Sequence, residues 1–204
     1  MQDSPTIAAL KDKNDAAVRA PGRAVEAIWE LIHGGHQLVV VTVNFDTLVE
    51  HRGATKVFSG EDFDEFSSYL DGYITRGGEV PVLKLHGTIG TPETIIGTVD
   101  QYAMGLALPK ARALRKLLAA VDGRPTRWVY VGYSMRDPDV TNILGGREFG
   151  EGLDEMWVSP FPISTARRFS EERRHFGNGP DFWQRSITVT ADAFFSELSR
   201  AWSS

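Results

Sequence analysis

Residues 39–50 read VVVTVNFDTLVE: five residues suited to a buried strand, then Asn44 and Asp46, then the start of a helix. An unbroken run of β-branched residues favours a strand covered on both faces, as in a parallel sheet flanked by helices. Ligands of such sheets collect at the carboxyl ends of the strands. Asn44 and Asp46 stand at that end, two residues apart, so in extended chain both side chains leave on the same side. An amide at the end of a buried strand needs hydrogen-bond partners. Asp46 has a second reading as part of a helix start, because Thr47 with Glu50 three residues on fits a capping box.

The plan repeats outward from this stretch. Val82–Leu85, VLKL, is a second buried strand running into His86-Gly87, and WVYVGYS, residues 128–134, is another that ends in Gly132 and Ser134. Shorter strands are expected over Ile95–Val99, Met156–Val158 and Ile187–Val189. Helical spacing of apolar residues marks Arg23–His33, closed by Gly34-Gly35, and Lys110–Val121, with Lys110, Arg112, Arg115 and Lys116 toward water. GEDFDEFSSYLDGY, residues 60–73, reads as a surface helix with Phe63, Phe66 and Leu70 on one face. Asp137-Pro138 is a helix start, Ser164–Phe176 a charged helix, and Asp192–Trp202 a closing helix that buries Phe194, Phe195 and Leu198. Strands alternating with helices predict an α/β parallel sheet. Residues 1–21, polar and alanine-rich up to Pro21-Gly22, read as an N-terminal arm or the remnant of a preceding element, which leaves 22–204 as one domain.

Composition removes several function classes. The 204 residues are 42% hydrophobic and 24% charged, an ordinary globular balance. A net charge of −5 gives no general attraction to nucleic acid or anionic lipid. The absence of Cys excludes disulfides, thiolate nucleophiles and cysteine zinc sites, and fits a reducing cytoplasm. No apolar run approaches the roughly 18 residues of a membrane span, and the N-terminus lacks the pattern of a secretory signal. His33 and His36 flank the glycine pair with no further ligand near, so they read as a solvated helix end and no metal is expected.

Three strands thus end in polar residues: Asn44 with Asp46, His86, and Ser134. In one parallel sheet such ends share an edge and meet in one crevice. Histidine, with an ordinary pKa of about 6.5, is the side chain that gives and takes protons near neutrality, which makes His86 the natural acid/base. Gly87 beside it leaves the strand end open. A Ser134–His86–Asp46 nucleophile set lacks its G-x-S-x-G elbow, since Ser134 stands in Val-Gly-Tyr-Ser-Met-Arg. Gly132-Tyr133-Ser134 fits better as a loop that admits a ribose or phosphate. The chain contains neither G-x-G-x-x-G nor a P-loop.

Thr42-Val43-Asn44-Phe45-Asp46, then Lys84-Leu85-His86-Gly87, then Gly132-Tyr133-Ser134-Met135-Arg136-Asp137-Pro138-Asp139 resemble, in this order, the sirtuin-like domains of bacterial anti-phage defence proteins. The resemblance extends well over about Gly34 to Asn142. It implies a Rossmann-like parallel sheet with helices on both faces, binding NAD at the strand ends. Asn44 would hold the water or ribose at the nicotinamide glycosidic bond, Asp46 would orient the nicotinamide side, and His86 would be the general base. Gly132 and Ser134 would line the adenosine side, with Thr42 and Gly87 completing the binding set. The implied activity is an NAD⁺ glycohydrolase acting in the cytoplasm, NAD being substrate and no metal taking part; the alternative is a catalytically incomplete sensor of NAD or ADP-ribose, or an assembly module. Implied partners are NAD⁺ or ADP-ribose, a fused or associated defence subunit and further copies of the chain, without nucleic acid or membrane. Two departures follow: the four-cysteine zinc module of sirtuin deacylases has no counterpart, and the family's first strand and glycine-rich loop are expected to lie before Met1.

Overall fold

The computed structural model describes residues 5–96, 101, 103–120, 126–134, 136–145, 153–161 and 186–203. The chain divides into two compact units, one of Met1–Gly97 with Phe195–Ser204, the other of Thr98–Phe194.

The first unit is built on a three-stranded parallel sheet in the order β1 (Val40–Thr42), β3 (Val80–Lys84), β2 (Thr55–Phe58). All five residues of β3 are buried because it has a neighbour on each side, whereas β1, an edge strand, is half-buried throughout. The expectation of a fully covered strand at Val39–Val43 is therefore corrected: the completely buried strand is the one that carries Lys84. Pro81 is tolerated in the centre because successive N–H groups point to opposite neighbours. Val80 N–H bonds the Ala54 carbonyl on the β2 side, and the pairing with β1 begins only at Val82. Strand β2 has no place in the sequence expectation. Its four residues include Lys56, and it is entered through positive φ at Gly53 and Ala54, so only its pairing with β3 reveals it.

Around this sheet lie α1 (Pro5–Arg19), α2 (Arg23–His33) and α3 (Phe66–Arg76). The stretch read as an arm or remnant is thus a 15-residue helix, and none of its residues is buried. Helix α2 has the predicted boundaries and buries Ala27, Trp29, Leu31 and Ile32. Before α3, Glu61–Asp64 makes a 3-10 turn, and Phe63, Phe66 and Leu70 are buried as expected. The Phe58 ring meets Phe66 edge-on at 5.2 Å and Tyr69 at 5.4 Å. Tyr73 replaces a missing ladder bond at the entry to β1: its hydroxyl donates to the Leu38 carbonyl at 2.8 Å and accepts from Leu38 N–H at 3.1 Å. Both histidines at the end of α2 have structural partners, His33 Nδ1 on the Trp29 carbonyl at 2.7 Å and His36 against the ring of Trp202 at 4.5 Å.

The second unit carries the parallel sheet β4 (Thr126–Val131), β5 (Leu153–Val158), β6 (Ser186–Ile187), with α4 (Leu108–Ala120) and α5 (Pro138–Gly145). In α4, Lys110 is buried, contrary to the expected solvent face, because positions 110, 114 and 117 fall on one side with Leu114 and Leu117. The α5 start is as predicted: the Asp137 carbonyl accepts from Val140 and Thr141 N–H at 3.1 and 2.9 Å. Helix α6 (Ala191–Ser203) closes the chain. Phe194, Phe195 and Leu198 are half-buried and Ser199 is the buried residue, its hydroxyl donating to Glu30 of α2. Ile95 and Ile96 are irregular, not strand; residues 97–99 and the helix expected at Ser164–Phe176 lie outside the described residues.

Candidate functional site

Strand β1 ends where its hydrogen bonding turns local. Thr42 O accepts from Leu85 N–H at 3.0 Å, while Thr42 Oγ1 accepts from Asn44 N–H at 3.0 Å. The chain then stays next to the end of β3, with Ile89 N–H donating to the Phe45 carbonyl at 2.8 Å. No helix follows. Residues 43–47 are irregular and 48–52 form a turn, so the capping-box reading of Thr47 and Glu50 is corrected. Asp46 Oδ1 accepts Leu48 N–H at 3.2 Å, an Asx turn two residues long, and Glu50 is engaged elsewhere.

Three elements hold this segment. From α1, Asn14 Oδ1 accepts Thr47 N–H at 2.8 Å and Asn14 Nδ2 donates to Thr47 Oγ1 at 2.9 Å. From α2, Trp29 Nε1–H is shared between the Leu48 and Val49 carbonyls at 2.9 and 3.1 Å. From β3, the Lys84 ammonium donates to the Asp46 carbonyl and to Glu50 Oε1, the latter at 2.9 Å. Side chains thus satisfy backbone groups that a helix would otherwise pair internally.

The result is a cleft of about 450 Å³ at the carboxyl end of β1. Asn44 and Asp46 line it from the strand end, Lys13 and Asn14 from α1, with Leu10, Ala17, Val43, Phe45, Leu48 and Ile89 as its apolar wall. Asn44 is exposed and Asp46 half-buried. Positions 10, 13, 14 and 17 recur at helical spacing, so one face of α1 forms a side of the cleft. Asn14→Ala is expected to cost about 1–2 kcal/mol and to speed amide exchange in α1, which urea unfolding and hydrogen exchange will read.

His86 is 1% exposed and is not among the cleft-lining residues; it lies on the segment directly after β3 that is bonded to Thr42 and Phe45. Gly87 has φ +90°, and a Cβ there would run into the backbone of Thr94 and Ile95. The room beside it, expected to be open, is filled by the chain folding back, as Ile96 N–H bonds the His86 carbonyl at 2.8 Å. Gly132 and Ser134 are exposed at the end of β4 in the second unit, so the described strands do not gather all the polar ends on one sheet. Gly132, at φ +62°, donates its N–H to the Val158 carbonyl at 3.0 Å. Next to it, burial together with Asp137 and Asp139 pushes the Tyr133 hydroxyl well above its ordinary pKa.

Lys84 and Asn14 escaped the sequence reading. Lysine in an otherwise apolar strand, VLKL, is the available signal for the first, since a buried ammonium requires an anion and hydrogen bonds. Nothing in the sequence marks Asn14. Among the described residues no group of three or more His, Asp or Glu is placed to hold a metal ion, and no helix is long and apolar enough to cross a membrane.

Residues 38–175 match the family model of the SIR2-like domain. A search of curated proteins gives no match to this chain. SIR2-like domains bind NAD, and the matched span contains β1, β3 and β4 with the motifs that follow each of them. The match takes in more than half of the sequence, and the parallel sheets with their surrounding helices accord with it: the chain belongs to the SIR2-like domain family.

Proposed function

We propose that the protein is an NAD⁺ glycohydrolase, converting NAD⁺ and water to ADP-ribose and nicotinamide, in bacterial anti-phage defence. The observation that carries the reading is the cleft at the end of β1, which Asn44 and Asp46 both line, in a domain of an NAD-binding family. In the reaction the C1′–N bond breaks with its electron pair going to nicotinamide, which leaves neutral. The ribosyl group becomes cationic, and water adds at C1′ and gives up one proton. An anionic Asp46 beside the departing ring stabilises that cation, and the Asn44 amide orients the water or ribose. His86 takes the proton. Thr42 and Gly87 serve the strand ends, and helix α1 forms one side of the ligand cleft.

The burial of His86 at 1% exposure favours a second reading, binding of NAD or ADP-ribose without turnover. Hydrolysis requires the imidazole to meet the cleft when ligand binds, whereas sensing does not.

Nicotinamide release from NAD⁺ tests the choice. The wild type is expected to release it, and His86→Gln, which keeps a polar side chain of similar size, is expected to be slower by about 100-fold or more with unchanged circular dichroism. Equal rates in the two proteins remove His86 from the mechanism. Calorimetric binding of ADP-ribose without any nicotinamide release establishes the sensor reading instead.

A further inference from the structure

Lys84 is the last residue of the central strand β3, and its side chain is 1% exposed. A buried ammonium is costly unless it is paired and its protons are donated. Lys84 meets both demands within one segment: Glu50 Oε1 at 2.9 Å supplies the charge, and the Asp46 backbone carbonyl takes a second proton. Glu50, 15% exposed, is nearer to solvent, so the pair is anchored from the strand side. These partners lie at Asp46 and within the turn that follows it. The lysine therefore ties cleft-lining Asp46 to the turn.

The contact also does what secondary structure does not do here. Between β1 and the turn at 48–52, residues 43–47 have neither a helix nor a full ladder to fix their backbone. The Asp46 carbonyl is one of the few main-chain groups available to define where the Asn44-Phe45-Asp46 segment lies, and its donor comes from the end of the central strand. Asn14 and Trp29 act farther along, at Thr47, Leu48 and Val49.

We infer that Lys84 is a positioning residue for the ligand-binding segment, setting Asn44 and Asp46 against the bound dinucleotide through the Asp46 carbonyl and Glu50. The inference rests on the NAD reading above. Lys84 touches no ligand in this role. It acts through the backbone of Asp46, and geometry of that kind is worth about 100-fold in rate for a misplacement of about 1 Å.

The test compares wild type, Lys84→Met and the double variant Lys84→Met with Glu50→Gln. The double variant removes both charges together, which buried pairs commonly tolerate, and so keeps the experiment open if the single variant fails to fold. Two readouts are taken: amide exchange over residues 43–50, and calorimetric titration with ADP-ribose for both Kd and stoichiometry. Exchange in that segment is expected to accelerate about tenfold or more as its local opening becomes easier. The Kd is expected to weaken about tenfold at unchanged stoichiometry in whichever variants fold, including the double variant, because the Asp46 carbonyl lacks its donor in each.

Unchanged exchange in the variants overturns the inference whether or not ligand binds. So does a double variant with wild-type Kd, which would assign Lys84 only the task of neutralising Glu50. A falling stoichiometry at constant Kd overturns it as well, since that is loss of folded protein alone. A wild type that binds neither NAD⁺ nor ADP-ribose defeats the NAD reading, and that failure is seen in the unaltered chain, apart from any result on Lys84.

Discussion

Replacing Asn44 by alanine is expected to lower nicotinamide release from NAD⁺ by about 100-fold or more while leaving folding stability within about 0.5 kcal/mol. Asn44 is exposed, and the hydrogen bond that fixes its backbone, from its N–H to Thr42 Oγ1, survives the substitution. Asn44 lines the cleft with Asp46. In the proposed reaction an exposed polar group at that position is expected to matter far more to the rate than to the fold. The rate of nicotinamide release and a denaturant unfolding curve, measured on the same preparation, separate the two. Release at the wild-type rate would remove Asn44 from the site; a large loss of stability would make it a structural residue.

The legibility of this chain in its sequence follows a physical division. Elements defined by their own apolar pattern were readable: α2 over Arg23–His33, the strand ending at Lys84, the strand before Gly132 and the α5 start at Asp137-Pro138. Elements defined by a distant partner were not. Thr55–Phe58 becomes a strand only because β3 pairs with it, and α1 buries nothing that its sequence could announce. Thr47 and Glu50 match a capping box, yet Glu50 is claimed by Lys84 from across the sheet. Local propensity lost to a buried charge that needed a counterion.

The same division runs through the candidate site. Asn44 and Asp46 were legible because a strand end in a parallel sheet is a general place for ligands, and they do line the cleft together. What sequence adjacency does not convey is depth. His86 follows β3 by two residues, but the chain after it turns back at Gly87 and bonds its carbonyl from Ile96, and the ring is buried. Asn14, 33 residues from Thr47, enters the cleft wall from a separate helix and bonds both the backbone and the side chain of Thr47.

That turn at Gly87 carries the second large effect. Gly87→Ala is expected to destabilise the protein by about 3–5 kcal/mol, combining the strain of a left-handed backbone with overpacking. The φ of +90° disfavours any side chain, and the new Cβ would collide with the carbonyl group of Thr94 and lie 2.7 Å from the Ile95 nitrogen. These are backbone atoms in a loop tied by Thr88 N–H to Thr94 Oγ1 at 3.1 Å and by Ile96 N–H to the His86 carbonyl, so no flexible side chain can yield instead. Gly90 in the same loop supplies the control, since its φ is not positive and an added Cβ would meet its neighbours at 3.8–3.9 Å, ordinary contact. Gly90→Ala is accordingly expected to stay within about 0.5 kcal/mol of wild type. Urea unfolding of both variants makes the comparison. A Gly87→Ala loss no larger than that of Gly90→Ala would mean that residues 94–96, whose Ile96 N–H bonds the His86 carbonyl, can move away from the strand end.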